Sequence, residues 1–271
     1  MNFKRVFLRQ ENNKISELHM ANRKDLRPMK VYVMQINSEL LSQVKQCVMV
    51  MSVAERQEIA LIRNHKLREQ MLVSKVMKRY LLSLYYNWEI LPEEWCFETS
   101  IHNKPKLTDE FQKLMLNFNV SHCEGAFVMA VAQGFDVGID IEPYTFFIDD
   151  YLASTVFSEN ELIELWNYSP SHKQEYLLRL WTLKEAYTKY LGLGINLDFK
   201  SVNFFHYTNE YFPILANMEV PAVVIHHSKV MLSKANYSLS IATKRGNLFS
   251  AKPQIHHFNQ LNINQLLFAE Y

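Results

Sequence analysis

Two long helical patterns, at residues 66–86 and from Pro170 to about Leu191, stand among short strand-like runs that never alternate regularly with helices. A doubly wound sheet needs a crossover helix between each pair of parallel strands, so this order favours an α+β fold. In the first pattern Leu67, Met71, Leu72, Val76, Tyr80 and Leu84 recur at helical spacing while Lys66, Arg68, Lys75, Lys78 and Arg79 crowd the remaining surface. That helix is amphipathic and basic. The second is introduced by Pro170 and a capping box, Ser171 with Gln174, and stops at Gly192. A further box, Ser158 with Glu161, starts a shorter helix before it. Strands are expected at residues 30–36, 96–99, 116–120, 126–132, from Val137 onward, and at 199–205, 222–226 and 237–243. Gln133-Gly134-Phe135 reads as a turn between two halves.

With 271 residues, 48% of them hydrophobic, the chain can bury a real core. Its net charge of +1, from 29 basic and 28 acidic residues, argues against wholesale binding to nucleic acid or a membrane surface. Any anion site must then be local. Cys47, Cys96 and Cys123 lie far apart, which suggests neither a disulfide framework nor a thiolate zinc site and fits a reducing cytosol. No apolar run approaches the ~20 residues of a spanning helix, and no secretory h-region is evident. The basic segment before residue 30 is expected to be an extension outside the core, and the tail beyond Asn247, with its Gln- and Asn-rich stretch, has no assigned role. The pairs His226–His227 and His256–His257 read as solvated loop histidines rather than metal ligands.

In Val137-Gly138-Ile139-Asp140-Ile141-Glu142 apolar and acidic residues alternate, so a strand would turn Asp140 and Glu142 to one face. An edge strand with a solvated acidic face shows the same alternation. In Trp181-Thr182-Leu183-Lys184-Glu185-Ala186-Tyr187-Thr188-Lys189, helical spacing sets Trp181, Glu185 and Lys189 on one stripe. A buried Trp beside an ordinary surface ion pair would look alike. Glu185 could nevertheless join Asp140 and Glu142, and three carboxylates with water and phosphate oxygens suit Mg²⁺. Lys189 and Lys184 would then balance phosphate charge. In Phe118-Asn119-Val120-Ser121-His122 the adjacent Ser and His point to opposite sides of a strand, so anion contact is a better reading than a nucleophile–base pair.

Read together, the 137–142 and 181–189 segments resemble the two signatures of the 4′-phosphopantetheinyl transferases of the surfactin-synthetase-activating type. Asn103-Lys104-Pro105, residues 118–122 and Gly192-Leu193-Gly194 are similar to further elements of that family in the same order, so the likeness is expected from about Val31 to about Thr243. Cys123 stands where a small polar residue is frequent in the family.

The resemblance implies two similar α+β subdomains in one chain, with coenzyme A in the cleft between them. Residues 1–30 would be the basic extension, 31–135 the subdomain with nucleotide contacts, 136–246 the subdomain with metal and catalytic groups, and 247–271 the tail. It implies transfer of 4′-phosphopantetheine from CoA to a serine of an apo acyl or peptidyl carrier protein, releasing adenosine 3′,5′-bisphosphate, as a holo-[acyl-carrier-protein] synthase does. By position Asp140, Glu142 and Glu185 match the family's Mg²⁺ ligands. Glu185 is also the candidate base, and Lys189 and Lys184 look like pyrophosphate-side lysines. Lys104, Ser121 and a charged His122 look like nucleotide and 3′-phosphate contacts, with Lys75, Arg79 and Arg56 as further basic positions. A cytoplasmic monomer is expected. A Mg²⁺-dependent hydrolase of CoA or another pyrophosphate, or an inactive carrier-binding module, are the alternatives; fatty-acid, polyketide, nonribosomal-peptide and lysine-biosynthesis carriers all stay open.

Overall fold

The computed structural model describes residues 26–100, 104–207, 210–215, 223–244, 254–258 and 260–268. Strand β1 (Lys30–Gln35) leads to helices α1 (Ser38–Gln46), α2 (Val53–Leu61) and α3 (His65–Tyr85). Asn37, Ser52 and Asn64 cap their N-termini by accepting from Leu40, Glu55 and Leu67 backbone N–H groups. A two-stranded ribbon, β2 (Phe97–Thr99) with β3 (Pro105–Leu107), precedes the hairpin β4 (Leu116–Cys123) and β5 (Ala126–Gln133). Next come β6 (Val137–Pro143), α4 (Asp150–Val156), α5 (Glu159–Glu164) and the long α6 (Pro170–Leu191). Strands β7 (Val202–Tyr207), β8 (Glu210–Leu215), β9 (Val223–Leu232) and β10 (Ala235–Lys244) follow, then β11 (Gln254–Phe258) and α7 (Gln260–Phe268).

The strands form two main sheets, β11-β1-β5-β4 and β6-β10-β9-β8-β7. Period-two alternation explains how both are buried. On β1 and β5, Tyr32, Met34, Phe127, Met129 and Val131 face α3, while Val31, Val33, Val128 and Ala130 face the other sheet. There they meet Ile139 and Ile141 of β6 and Leu239 and Ile241 of β10. On the far side of the second sheet, Leu180, Leu183, Ala186 and Tyr187 of α6 close a third apolar cluster with Val223, Ile225 and Ala242. Helix, sheet, sheet, helix is thus the layer order, an α+β architecture as the sequence pattern requires.

The chain leaves the first sheet after Gln133 and enters the second at Val137, at the turn expected there. Other expectations are corrected. Residues 254–258 and 260–268 of the expected tail are part of the fold, because β11 pairs in parallel with β1 and α7 buries Ile263, Leu266 and Leu267 in the core of the first half. His256 and His257 therefore lie on a strand, opposite Tyr32 and Val33, and His226 and His227 lie on β9. Residues 26–29 pack against the folded body: Met29 is buried, and Arg27 donates to the Tyr85 carbonyl at 2.9 Å and to Glu89 at 3.0 Å. Residues 1–25 of the expected extension lie outside the described residues. Helix α6 starts at Pro170 as expected, but its N-cap position is Ser169, two residues before the expected Ser171, and Gln174 bonds the Ile148 backbone. Among the described residues no helix is long and apolar enough to cross a membrane.

Candidate functional site

The site begins with a glycine. A Cβ on Gly138 would lie 2.1 Å from the Ala186 carbonyl oxygen and 2.4 Å from the Tyr190 nitrogen, so only glycine lets β6 touch the backbone of α6. The alternation that sends Ile139 and Ile141 into the intersheet core then turns Asp140 and Glu142 toward the helix. The Trp181–Glu185–Lys189 stripe of α6 comes down on that face. Lys189 Nζ donates to Asp140 Oδ1 at 2.6 Å and to Ser121 Oγ of β4 at 3.0 Å, and Ser121 Oγ donates to the same Asp140 oxygen at 2.9 Å. Three elements from both halves meet at one buried carboxylate.

The electrostatics show three acids crowded around one base. Burial, then the charges of Asp140 and Glu185, push the Glu142 carboxyl up to about 8, against the opposing pull of Lys189. Glu185 is raised by burial and by Asp140, with Lys189 again opposing. Burial works against the Lys189 charge, but Asp140, Glu185 and Glu142 outweigh it and hold the ammonium above its ordinary value. Asp140 Oδ2 is buried without a hydrogen-bond partner among the described residues. No group of three His, Cys, Asp or Glu side chains there already has metal-holding geometry. The donor set still fits a hard divalent cation, since two raised carboxyls and an orphaned carboxylate oxygen are what a cluster short of positive charge displays.

The other expected residues divide. Lys104 lines a cavity of ≈ 470 Å³ between β3, β4 and the last turn of α6, with Asp136, Tyr190 and Gly192; its amine reaches the Val137 carbonyl at 3.4 Å. Asn103 lies outside the described residues. His122 lines a second cavity of ≈ 360 Å³ with Glu142, Phe146 and Phe147. Burial and then Lys189 lower its pKa, while the expected charged form is tied to a phosphate at its side. Cys123 beside it is buried, and burial with the Glu142 and Asp140 charges raises its thiol far above the ordinary value, leaving it inert.

Lys184 does not join the cluster. Its fully buried amine spends its donors on the Phe199 and Val202 carbonyls, both at 2.6 Å, and on Glu161 at 2.9 Å. It stands one residue off the 181–185–189 stripe and so faces another way. Arg79 is equally committed, to the Pro92 and Trp95 carbonyls and Glu55. Lys75 pairs with Glu58 at 2.8 Å, and Arg56 donates to the Met51 carbonyl at 2.6 Å. These three gather around α2 and α3 among their own partners.

Sequence reasoning missed several polar residues packed against the site. Asn119 Oδ1 accepts from the Ile139 backbone at 2.9 Å, tying β4 to β6 beside Asp140. Ser238 and Ser240 pair in register with Glu142 and Asp140 and contact Thr182 of α6. Their signal was present in the alternation Tyr237-Ser238-Leu239-Ser240-Ile241, which turns both hydroxyls to the helix face.

Residues 136–242 match the model of the 4′-phosphopantetheinyl transferase superfamily. The 4′-phosphopantetheinyl transferase psf-1 of Bacillus pumilus is 33% identical over 131 residues, 48% of this chain and 53% of that protein. HetI of Nostoc sp., also a 4′-phosphopantetheinyl transferase, is 33% identical over 129 residues, 47% of this chain and 54% of that protein. The chain thus spans about half the length of these curated relatives. A Thermotoga maritima holo-[acyl-carrier-protein] synthase structure has a TM-score of 0.32 and 21% identity over 41% of this chain and 64% of that one. The resemblance carried by residues 137–142 and 181–189 stands, and the superfamily match falls on the half that holds them.

Proposed function

We propose that this chain, whose residues 136–242 carry the superfamily match, transfers the 4′-phosphopantetheine moiety of coenzyme A to a serine of an apo acyl or peptidyl carrier protein. The observation that carries the reading is the meeting of Asp140 with Lys189 and Ser121, inside an acidic cluster that includes Glu142 and Glu185. In the reaction the serine oxygen bonds to the β-phosphorus of CoA, the phosphoanhydride bond breaks, and adenosine 3′,5′-bisphosphate leaves. A weak nucleophile must be deprotonated and positioned, and charge on the leaving phosphate must be met.

Asp140, Glu142 and Glu185 are the residues that would hold Mg²⁺, which when bound supplies Lewis-acid neutralisation of pyrophosphate oxygens. Glu185, on the helix face turned to Asp140, is placed to take the serine proton directly or through a water. Lys189 keeps its charge and hydrogen-bonds Asp140 and Ser121, so it orients that carboxylate and offers a cation to the phosphates. The cavity bearing Lys104 lies between the two halves, and we assign it to the nucleotide end of CoA. Two sheets, each backed by a helix of 21 or 22 residues, support a reading of paired subdomains within one chain, which we take to act as a cytoplasmic monomer.

Incubation with CoA, Mg²⁺ and a panel of apo carrier proteins, followed by intact-mass measurement, tests the proposal. One phosphopantetheine should be gained by at least one carrier, in the presence of Mg²⁺ only. CoA cleaved equally fast without any carrier would make the chain a hydrolase; carrier bound but never modified would make it a docking module.

A further inference from the structure

Beneath the acidic cluster lies a buried set of hydroxyls. Thr182 and Ser240 are fully buried and Ser238 is 1% exposed. Thr182 Oγ1 stands 3.0 Å from the Arg179 carbonyl, 2.9 Å from Ser238 Oγ and 2.9 Å from Ser240 Oγ, and Ser238 Oγ is 3.0 Å from His227 Nε2. One proton assignment satisfies all four contacts. A carbonyl can only accept, so Thr182 spends its single proton on Arg179; both serines must then donate to Thr182, and Ser238 must accept from a protonated His227 Nε2. Burial and the nearby Arg179 charge hold His227 down to about 4, which agrees with a neutral ring.

The placement gives this set a purpose. Ser238 and Ser240 are the in-register partners of Glu142 and Asp140 on β10, and Thr182 lies one helical turn before Glu185. Gly138 lets α6 approach β6, but a smooth contact would leave the helix free to slide or turn along it. Two hydroxyls of β10 converging on one of α6 fix its rotation and depth at the level of the two acids. We infer that Thr182 is a positioning residue that sets Glu185 and Lys189 against Asp140, and so tunes the site for its cation and for transfer. This deepens the transferase reading and rests on it for the activity readout alone.

Thr182→Val keeps the shape and removes the hydroxyl, and Thr182→Ser restores it. Thr182→Val should lower kcat and Mn²⁺ affinity by about 10–100-fold with KM for CoA little changed, while Thr182→Ser recovers most of both. In crystals grown without metal, Lys189 of Thr182→Val should lose its contact with Asp140. Wild-type kcat, Mn²⁺ affinity and Lys189–Asp140 contact in the valine variant would overturn the inference. Should that variant not fold, Ser240→Ala replaces it, because it removes a donor and orphans none; a milder loss of the same kind is expected, and none would overturn the inference. If the wild type transfers nothing to any carrier, the proposed function falls, and the crystal contact still decides the role of Thr182.

Discussion

The two halves each carry a cluster of charges against a long helix, and the clusters are built on opposite terms. In the first, Arg79 meets Glu55 and two carbonyls, Lys75 meets Glu58, and Lys78 lies 3.9 Å from Glu55 and 3.6 Å from the centre of the Phe97 ring. In the second, Asp140, Glu142 and Glu185 face Lys189 as the one cation among the described residues, for Lys184 on the same helix is drawn off by Glu161. A charge with its complement at hand serves the architecture; a surplus of one sign, held in place by packing, is poised for a ligand of the other sign. By that measure the second half supplies the acids of the candidate site, although the first half has the more conspicuous basic helix in sequence.

Breaking the surplus should have the largest effect. Asp140→Ala and Glu185→Ala are each expected to cut carrier modification by more than about 10²-fold with unchanged circular dichroism, because each removes charge neutralisation and positioning together. Glu142→Ala should be milder, if water can replace that ligand. Breaking the matched cluster should act on stability instead. Arg79→Ala takes the buried guanidinium away from Glu55 and from two carbonyls, leaving Glu55 with Lys78 and the Ser52 backbone N–H, a loss of about 3–5 kcal/mol in denaturant unfolding. Gly138→Ala forces β6 off the α6 backbone and should cost about 1–3 kcal/mol or more, with activity falling further than stability explains.

Alkali should separate the halves more finely. Burial, only partly offset by Glu55, depresses Lys78 to about 7, below its ordinary 10.5. The unfolded chain then binds more protons between those values, so this group makes stability rise as pH climbs from about 7 to 10.5. Glu142 is raised to about 8 from 4.5, so the folded state binds more protons across that window and stability falls as pH rises through it. Thermal melts of Lys78→Met and Glu142→Gln should flatten one trend each, and Mg²⁺ should erase the second alone. The smallest effect is expected from Lys75→Ala, about 0–1 kcal/mol, since its partner Glu58 is largely exposed.

Much of this was legible in the chain. Alternation through 137–142 named the face of Asp140 and Glu142, and four-residue spacing through 181–189 named Glu185 and Lys189. The same spacing could have excluded Lys184, which falls off the stripe. The Arg79 commitment was hidden, because its partners come from α2 and from the turn at Pro92 to Trp95, and nothing local couples those positions. The role of residues 254–258 and 260–268 was hidden as well: a parallel partner for β1 is chosen by an open sheet edge and an uncovered apolar face, neither visible in those segments themselves.

Sequence by itself determined which side chains share a face, since backbone geometry repeats every two residues on a strand and every 3.6 on a helix whatever lies around it. Only the tertiary structure decided what each face would meet. Burial cost and pairing depend on partners brought from distant segments, so the same residue type became a structural tie at Lys184 and part of the site at Lys189.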